Sequence, residues 1–392
     1  MQTFGCSRFI FNTCLSYSKY CYENGGKTPS SFDLCKLASK AKRYEEFSFL
    51  KLVDKWALQN AARDVSLALE RFFKKKANYP NFKSKNIHRQ TYRTTNSNNS
   101  IRVENRHIRL PKVGFVRFRG KMRPFNRILG ATVIHNCDDT WEISLCVETE
   151  EYKTEHGSGA IGIDLGLSEF AIIANGIDYK HIDNHKYLRK YEKKLAKAQR
   201  KLSKMKKHSR NWDKQRIKVA KIHALVKNTR KDFLHQLSRD LISENQTIKV
   251  ETLRVKNLVK NHKLAKSIND ASWGSFISML EYKGKETGCE VIKVSPYFPS
   301  SQMCHNCGYI NKATKDLRVR HVICPSCGAE YDRDKNAALN ILRSESVTNE
   351  QAVGRTVFAC GEDVRPVDAF QHQMANPAEA GTPSIARESH TL

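Results

Sequence analysis

Cys304-His-Asn-Cys307, Cys324-Pro-Ser-Cys327 and, directly behind them, Tyr331-Asp-Arg-Asp334-Lys-Asn336-Ala-Ala form the stretch that decides how the rest of this chain is read. Two CxxC knuckles separated by a basic stretch supply four soft thiolates, the ligand set of one closed tetrahedral zinc site. Such a knuckle ordinarily holds a loop together and does no chemistry, its metal contributing on the order of 10 kcal/mol to local folding. Lys312, Lys315, Arg318 and Arg320 between the knuckles would present charge to a nucleic-acid strand. His305 and His321 are further candidate ligands, although four cysteines already complete a tetrahedron. The acidic segment behind reads differently, as the last piece of a metal-dependent phosphoryl-transfer site.

Working outward, the whole chain has the charge such a site needs. Its 392 residues carry 68 Lys and Arg against 40 Asp and Glu, a formal net charge of +28. That excess repels itself and calls for a polyanionic partner whose counterions are released on binding. Hydrophobic residues at 40% exclude a disordered basic tail. Of twelve cysteines only four stand at CxxC spacing, so no disulfide framework is implied. Met1-Gln-Thr-Phe-Gly-Cys-Ser-Arg lacks an apolar secretory core, and no apolar run approaches the ~18 residues that span a membrane. The expectation is a cytoplasmic, nucleoid-associated protein with no membrane partner.

The hydrophobic period changes along the chain. Residues 1–78 read as helical, with apolar positions at helical spacing from Glu45 to Lys76 and a break at Pro80-Asn81. From 79 to 152 the period is two, in short strands separated by Asn, Gly, Pro and Asp, which predicts a small antiparallel β-barrel or sandwich. Ile161-Gly-Ile-Asp164-Leu-Gly166 and Phe170-Ala-Ile-Ile-Ala then read as two strands around a tight turn. The basic stretch 186–235 predicts an antiparallel helical hairpin with a thin apolar seam through Leu195, Leu202, Ile222 and Val226. Between Lys186 and Lys231, Glu192 and Asp213 are the only acids against nineteen Lys and Arg. Uncompensated like charge at i, i+4 destabilises a helix, so a phosphate backbone against Lys193, Lys197, Arg200, Lys204, Lys214, Lys218 and Lys221 accounts for the pattern better than a solvated face. Thr247–Glu251 and Val291–Val294 read as strands, 273–287 and 334–343 as helices, and 344–392 as a disordered, slightly acidic tail.

Asp164, Glu251 and Asp334 share one local setting, a strand end or the first turn of a helix, which in an α/β sheet is the ligand-binding carboxyl edge. Singly, Asp334 is also a plausible helix cap and Glu251 a surface acid. Together they would repel unless neutralised, and two Mg2+ ions ~3.5–4 Å apart would neutralise them while clamping a phosphodiester.

GIDLGLSEFAII, KYLRKYEKKLAKAQRKLSK, VETLRVKNLVKNHKLAKSINDASWGSF, PYFPSSQMCHNCGYINK and CPSCGAEYDRDKNAALNIL together resemble the TnpB family of transposon-encoded, RNA-guided DNA endonucleases, which are related to the type V CRISPR effectors. The resemblance runs from the first helix to about Arg343. It implies a multidomain α+β protein: a helical recognition lobe (1–78), a β-barrel wedge (79–152), and an RNase H-like (RuvC) nuclease domain (153–300) closed by 331–343, with a zinc-binding nucleic-acid insertion at 301–330. It implies Asp164, Glu251 and Asp334 as catalytic, magnesium-binding acids, and zinc on Cys304, Cys307, Cys324 and Cys327. Asp334 is preferred to Asp332 because it precedes x-Asn-Ala-Ala. The implied partners are a structured guide RNA from the transposon end and double-stranded target DNA, with base pairing reading the sequence and the protein a short adjacent motif. That motif would be met near Tyr92, Thr94 and Thr95. One departure stands out: the family pattern opens with a barrel strand, whereas this chain opens at Gln2-Thr-Phe-Gly, so the implied barrel lacks its first strand and has an open edge.

Two other classes compete. A DNA-binding protein without useful cleavage is disfavoured by the complete Asp-Glu-Asp set. A transposase proper would use the same fold for strand transfer, but no separate site-specific DNA-binding module is evident.

Overall fold

The computed structural model describes residues 1–345 apart from 87–88, 121, 151–156 and 317. All of these lie in the first of the two units into which the chain divides, Met1–Gln351. The expected disordered tail falls, from residue 346 on, outside the described residues.

Helices α1 (Gln2–Glu23), α2 (Ser31–Ala41) and α3 (Lys55–Phe73) pack around Leu15, Leu34, Leu50 and Val65, none of which reaches solvent. Ser30 and Asp33 form a reciprocal capping box that starts α2. The expected helical run from Glu45 is interrupted, because Glu45–Leu52 is a 3-10 segment and α3 starts anew after Asp54. Asp54 stops the run by capping: its carboxylate accepts the Ala57 N–H at 3.2 Å and the Thr94 hydroxyl at 2.5 Å.

The period-two region folds as two antiparallel three-stranded sheets. One has the order β1-β5-β6, from β1 (Gln90–Thr95), β5 (Arg127–His135) and β6 (Trp141–Glu148). The other joins β2 (Arg102–Glu104), β3 (His107–Leu110) and β4 (Gly114–Arg117). They share a core of Ile101, Ile108, Leu110 and Val133 that also receives Phe4 of α1 and Ala57 of α3. Among the described residues the strand pairings do not close a barrel. β1 is an edge strand, and α1 and α3 pack against it.

The central feature is a five-stranded sheet in the order β11-β10-β7-β8-β9. It comprises β7 (Gly159–Leu165), β8 (Glu169–Ala174), β9 (Tyr179–Asp183), β10 (Asn245–Glu251) and β11 (Glu290–Val294). β7, β8 and β9 are antiparallel neighbours, while β10 runs parallel to both β7 and β11. Alternation sorts the side chains. Ile161, Ile163, Leu165, Ile248 and Val250 turn to one face, beneath Leu234 and Leu241 of α5 (Arg210–Glu244) and Phe276 and Leu280 of α8 (Trp273–Thr287). Ile172 and Ala174 turn to the other, against Ala338 and Leu339 of α9 (Arg333–Arg343). Gly162 makes that second contact possible, since a Cβ there would lie 2.3 Å from the Ala338 carbonyl oxygen and 2.5 Å from the Leu342 nitrogen. Helix α9 therefore lies directly on β7.

Candidate active site and metal cluster

The alternation that buries Ile163 and Val250 turns Asp164 and Glu251 toward α9. Ile163 pairs with Val250 in the parallel register, so the two acids follow next in line on adjacent strands, at their carboxyl ends. Lys249 faces the same way and donates to the Ser344 carbonyl at 2.7 Å, just past the far end of α9. The near end of that helix carries Asp334 in its first turn. Capping falls to Asp332, whose carboxylate accepts both the Asp334 and Lys335 N–H groups at 3.0 Å. Asp334 is thereby released from the cap role and bonds the Arg320 guanidinium.

The electrostatics agree with this convergence. Burial pushes the Asp164 carboxyl well above its ordinary range, and the charges of Glu251 and Asp334 push it further, against the opposing Arg333 and Arg320. Burial likewise raises Glu251 to about 7, although the Leu165 backbone N–H favours its ionised form. Asp334 is raised by burial, with Arg320 pulling the other way. A buried acid whose ionisation two others oppose marks a site short of positive charge. Their hard oxygen donors suit a divalent ion such as Mg2+. Nothing local in the sequence marks Arg333, a buried guanidinium whose Nε and Nη1 have no hydrogen-bond partner among the described residues.

The four cysteine sulfurs lie within 4.8 Å of one another, a set that could hold one metal ion. The knuckles are built alike. In each, the first cysteine's carbonyl accepts from a glycine at 2.9 Å, and those glycines, Gly308 and Gly328, have φ of +77° and +71°. The Ala329 N–H and the Asn306 amide favour the thiolate of Cys327, and its neighbour Cys307 is raised in turn. Behind the second knuckle, β12 (His321–Ile323) pairs with β13 (Glu330–Asp332), and β13 leads straight into α9. His305 is turned away from ligation, with its N–H and its ring Nδ1 both on the Asn336 side-chain oxygen, at 2.9 and 3.0 Å. Asn336 and Asn340 each donate to the Met303 carbonyl, at 2.7 and 2.6 Å, so the first knuckle is latched to α9. The missed signal was two asparagines four apart among Ala and Leu, where helix propensity disfavours them. Among the basic residues between the knuckles, Arg318 pairs with Asp316 and Arg320 with Asp334.

The basic hairpin is present as α4 (Tyr187–Ser203) and α5, turning at 204–209, where Ser209 accepts the Trp212 N–H and caps α5. Its second helix runs on to Glu244, past the expected limit of 235. Leu195, Ile222 and Val226 are buried in the seam, as is Gln215, which donates to the Ala198 carbonyl at 3.0 Å. Beyond the short α6 (Val255–Leu258), Asp270 of α7 (His262–Ala271) ties the base by accepting the Leu188 N–H at 3.0 Å and pairing with Arg230. Lys193, Lys197, Arg200, Lys204, Lys214, Lys218 and Lys221 are all exposed. Two other predicted contacts need correction. Tyr92 is buried edge-on against Phe4, and Thr94 is buried on Asp54, because β1 turns these alternate residues into the core. Thr95 is half-buried and accepts from the Asn60 amide at 3.2 Å.

Cys6, Cys14 and Cys289 are buried thiols, and burial pushes that of Cys14 up to about 12. Among the described residues no helix is long and apolar enough to cross a membrane.

Comparison with known proteins adds independent findings. A family profile described as "Probable transposase" matches residues 144–262, one described as "Cas12f1-like, TNB domain" matches 273–341, and a "Helix-turn-helix domain" profile matches 1–27. A Streptomyces pristinaespiralis protein named "Putative RNA-guided DNA endonuclease" is 36% identical over 368 residues, covering 93% of this chain and 88% of its own. The "Putative RNA-guided DNA endonuclease InsQ" of Escherichia coli (strain K12) is 30% identical over 377 residues, covering 92% and 90%. "TnpB-like protein L79" of Acanthamoeba polyphaga mimivirus is 28% identical over 235 residues, covering 56% and 44%. In fold, the chain is similar to Cas12f1 as seen in the cryo-EM structure of the Cas12f1-sgRNA-target DNA complex. The TM-score is 0.56 over 88% of this chain and 82% of that one, at 14% identity.

Proposed function

The chain belongs to the TnpB family, and from that premise we propose that it is a transposon-encoded, RNA-guided endonuclease that cuts double-stranded DNA beside a short adjacent motif. Asp164, Glu251 and Asp334 are its catalytic carboxylates, and the five-stranded sheet with α9 is its RNase H-like core. The observation that carries this reading is the convergence of three acids from β7, β10 and α9 on one face of the carboxyl edge. The strand order supports it too: three antiparallel strands continued by two parallel ones is the RNase H arrangement.

In the ionised form the three carboxylates hold divalent metal, for which magnesium is the proposed ion. Bound there, magnesium supplies Lewis-acid polarisation of the scissile phosphate and activation of water. The overall reaction adds a water oxygen to phosphorus and breaks one phosphorus–oxygen link to sugar, the departing oxygen taking up a proton. Arg320 and Arg333 set positive charge around the acids, and the sheet fixes Asp164 against Glu251. The four cysteines hold one structural zinc that orders the 301–330 insertion. The exposed lysines of the hairpin follow the phosphates of the guide RNA or its target. The helices of 1–78 form the recognition lobe and the sheets of 79–152 the wedge, with the exposed side of β1 rather than Tyr92 and Thr94 available to DNA. A cytoplasmic, nucleoid-associated location follows from these partners.

The test is to isolate the full chain with its RNA, sequence that RNA, and offer matching duplex DNA with magnesium. Cutting that depends on the match is expected. Asp164→Ala should lower its rate by about three orders of magnitude or more, with target binding kept. Undiminished cutting by Asp164→Ala, or cutting with no RNA bound, would overturn the reading.

A further inference from the structure

Beside Glu251 the carboxyl edge opens into a cleft of about 270 Å3. One wall continues from β10 through Thr252 and Arg254, and the other from β11 through Pro296, Tyr297 and Phe298. Tyr297 is 77% exposed. Arg254 nonetheless fixes its orientation, donating from Nη2 to the phenol oxygen at 2.9 Å with the guanidinium carbon 5.0 Å from the ring centre. The Tyr297 N–H donates to Ser295 Oγ at 3.3 Å, which steadies the backbone beneath.

A ring this open contributes little to the core, so holding it in place has another use. An oriented π-face beside a guanidinium is the combination on which unpaired bases stack while their phosphates are neutralised. The cleft lies just below the ~300–1,000 Å3 of sites that take whole small-molecule ligands, which suits one base and excludes a base pair.

We propose that this cleft seats one unpaired nucleotide of the DNA strand being cut, next to the scissile phosphate, with its base on Tyr297 and its phosphate toward Arg254. The assignment rests on the nuclease reading of Asp164, Glu251 and Asp334, since the strand enters the cleft from the carboxylate edge. Tyr297 and Arg254 are thus positioning residues for the substrate.

The test uses the full chain loaded with its RNA, after the cut position has been mapped. In an Asp164→Asn background, 2-aminopurine is placed on either side of that position in the target strand. On one side its fluorescence is quenched several-fold on binding. Tyr297→Ala removes the quench and Tyr297→Trp restores it. With Asp164 intact, Tyr297→Ala slows single-turnover cutting about ten-fold. An abasic nucleotide at the quenched position slows the unsubstituted protein equally and adds nothing to the variant. Fluorescence indifferent to Tyr297, slowing that adds to the abasic effect, or a quench seen only with the probe in the RNA overturns the subsite and leaves the acids' role standing. No cutting at all by the unsubstituted, RNA-loaded protein in magnesium overturns the nuclease reading and the subsite with it.

Discussion

The cysteine cluster, which could hold a metal ion, and the carboxylate trio, for which metal binding is proposed, differ in reach: one is written between residues 304 and 327 and the other between 164 and 334. The cysteines come together by local turns, each knuckle closed by a glycine at positive φ. The acids come together only through topology: parallel pairing of β7 with β10, and a helix from the end of the described chain laid on Gly162. A metal can therefore order the first site as it forms, whereas the second exists only once the sheet is built. The two are joined by Asn336 and Asn340, which hold the first knuckle to the helix that carries Asp334.

The strongest way to break this contrast is to empty the cysteine cluster. Cys304→Ser with Cys324→Ser should remove the bound zinc and on the order of 10 kcal/mol of local folding energy. The five-stranded sheet should keep its circular dichroism and cooperative melt while cutting is lost through the asparagine latch. A metal-free variant that still cuts at full rate would show that the sites are independent. Next comes Gly162→Ala, which drives a methyl group into the backbone of α9. Overpacking there should cost about 2–3 kcal/mol, read as a melting temperature lower by several degrees with zinc content unchanged.

Protons sharpen the contrast further. Glu251 rises from 4.5 to about 7 on folding, and Asp164 also moves up. The folded, magnesium-free protein therefore binds more protons than the unfolded chain between about pH 4 and 7. Its stability should fall as pH rises through that window, by about 3 kcal/mol from Glu251 alone. Asp164→Asn should flatten the slope, and magnesium should restore stability above pH 7. Denaturant melts across that range check both, and a magnesium-free stability that rises with pH would contradict the clustering. The smallest effect is expected at the hairpin. Replacing Lys193, Lys197 and Arg200 with Gln should reduce the salt slope of nucleic-acid binding by up to about 3, with little change in cutting at low salt.

Much of this was legible because it is local or periodic. Helix α8 spans Trp273–Thr287, the stretch that reads as a helix in the sequence, and the cysteine spacing alone picks out the four thiols that cluster. Glu251 could be singled out because a short apolar strand ends on it. What escaped depends on a distant partner. Nothing near Asp54 announces Thr94, so the break before α3 was missed, and the burial of Tyr92 depends on Phe4 arriving from α1. The preference for Asp334 over Asp332 rested on a motif; in the fold Asp332 is spent on capping the helix, while Asp334 is left to bond Arg320.

Helix α5 ends at Glu244 and β10 begins at Asn245, with no linker between them. Its 35 residues make a rod of about 52 Å, anchored below by Leu234, Leu237 and Leu241 and touched nearer its lysine-rich tip by the Cys137 carbonyl, which accepts from Arg216 at 2.9 Å. A polyanion gripping that tip thus pulls on a stiff lever rather than a tether. The lever's short arm is the strand that delivers Glu251, leaving no slack to absorb a tug before it reaches the chemistry.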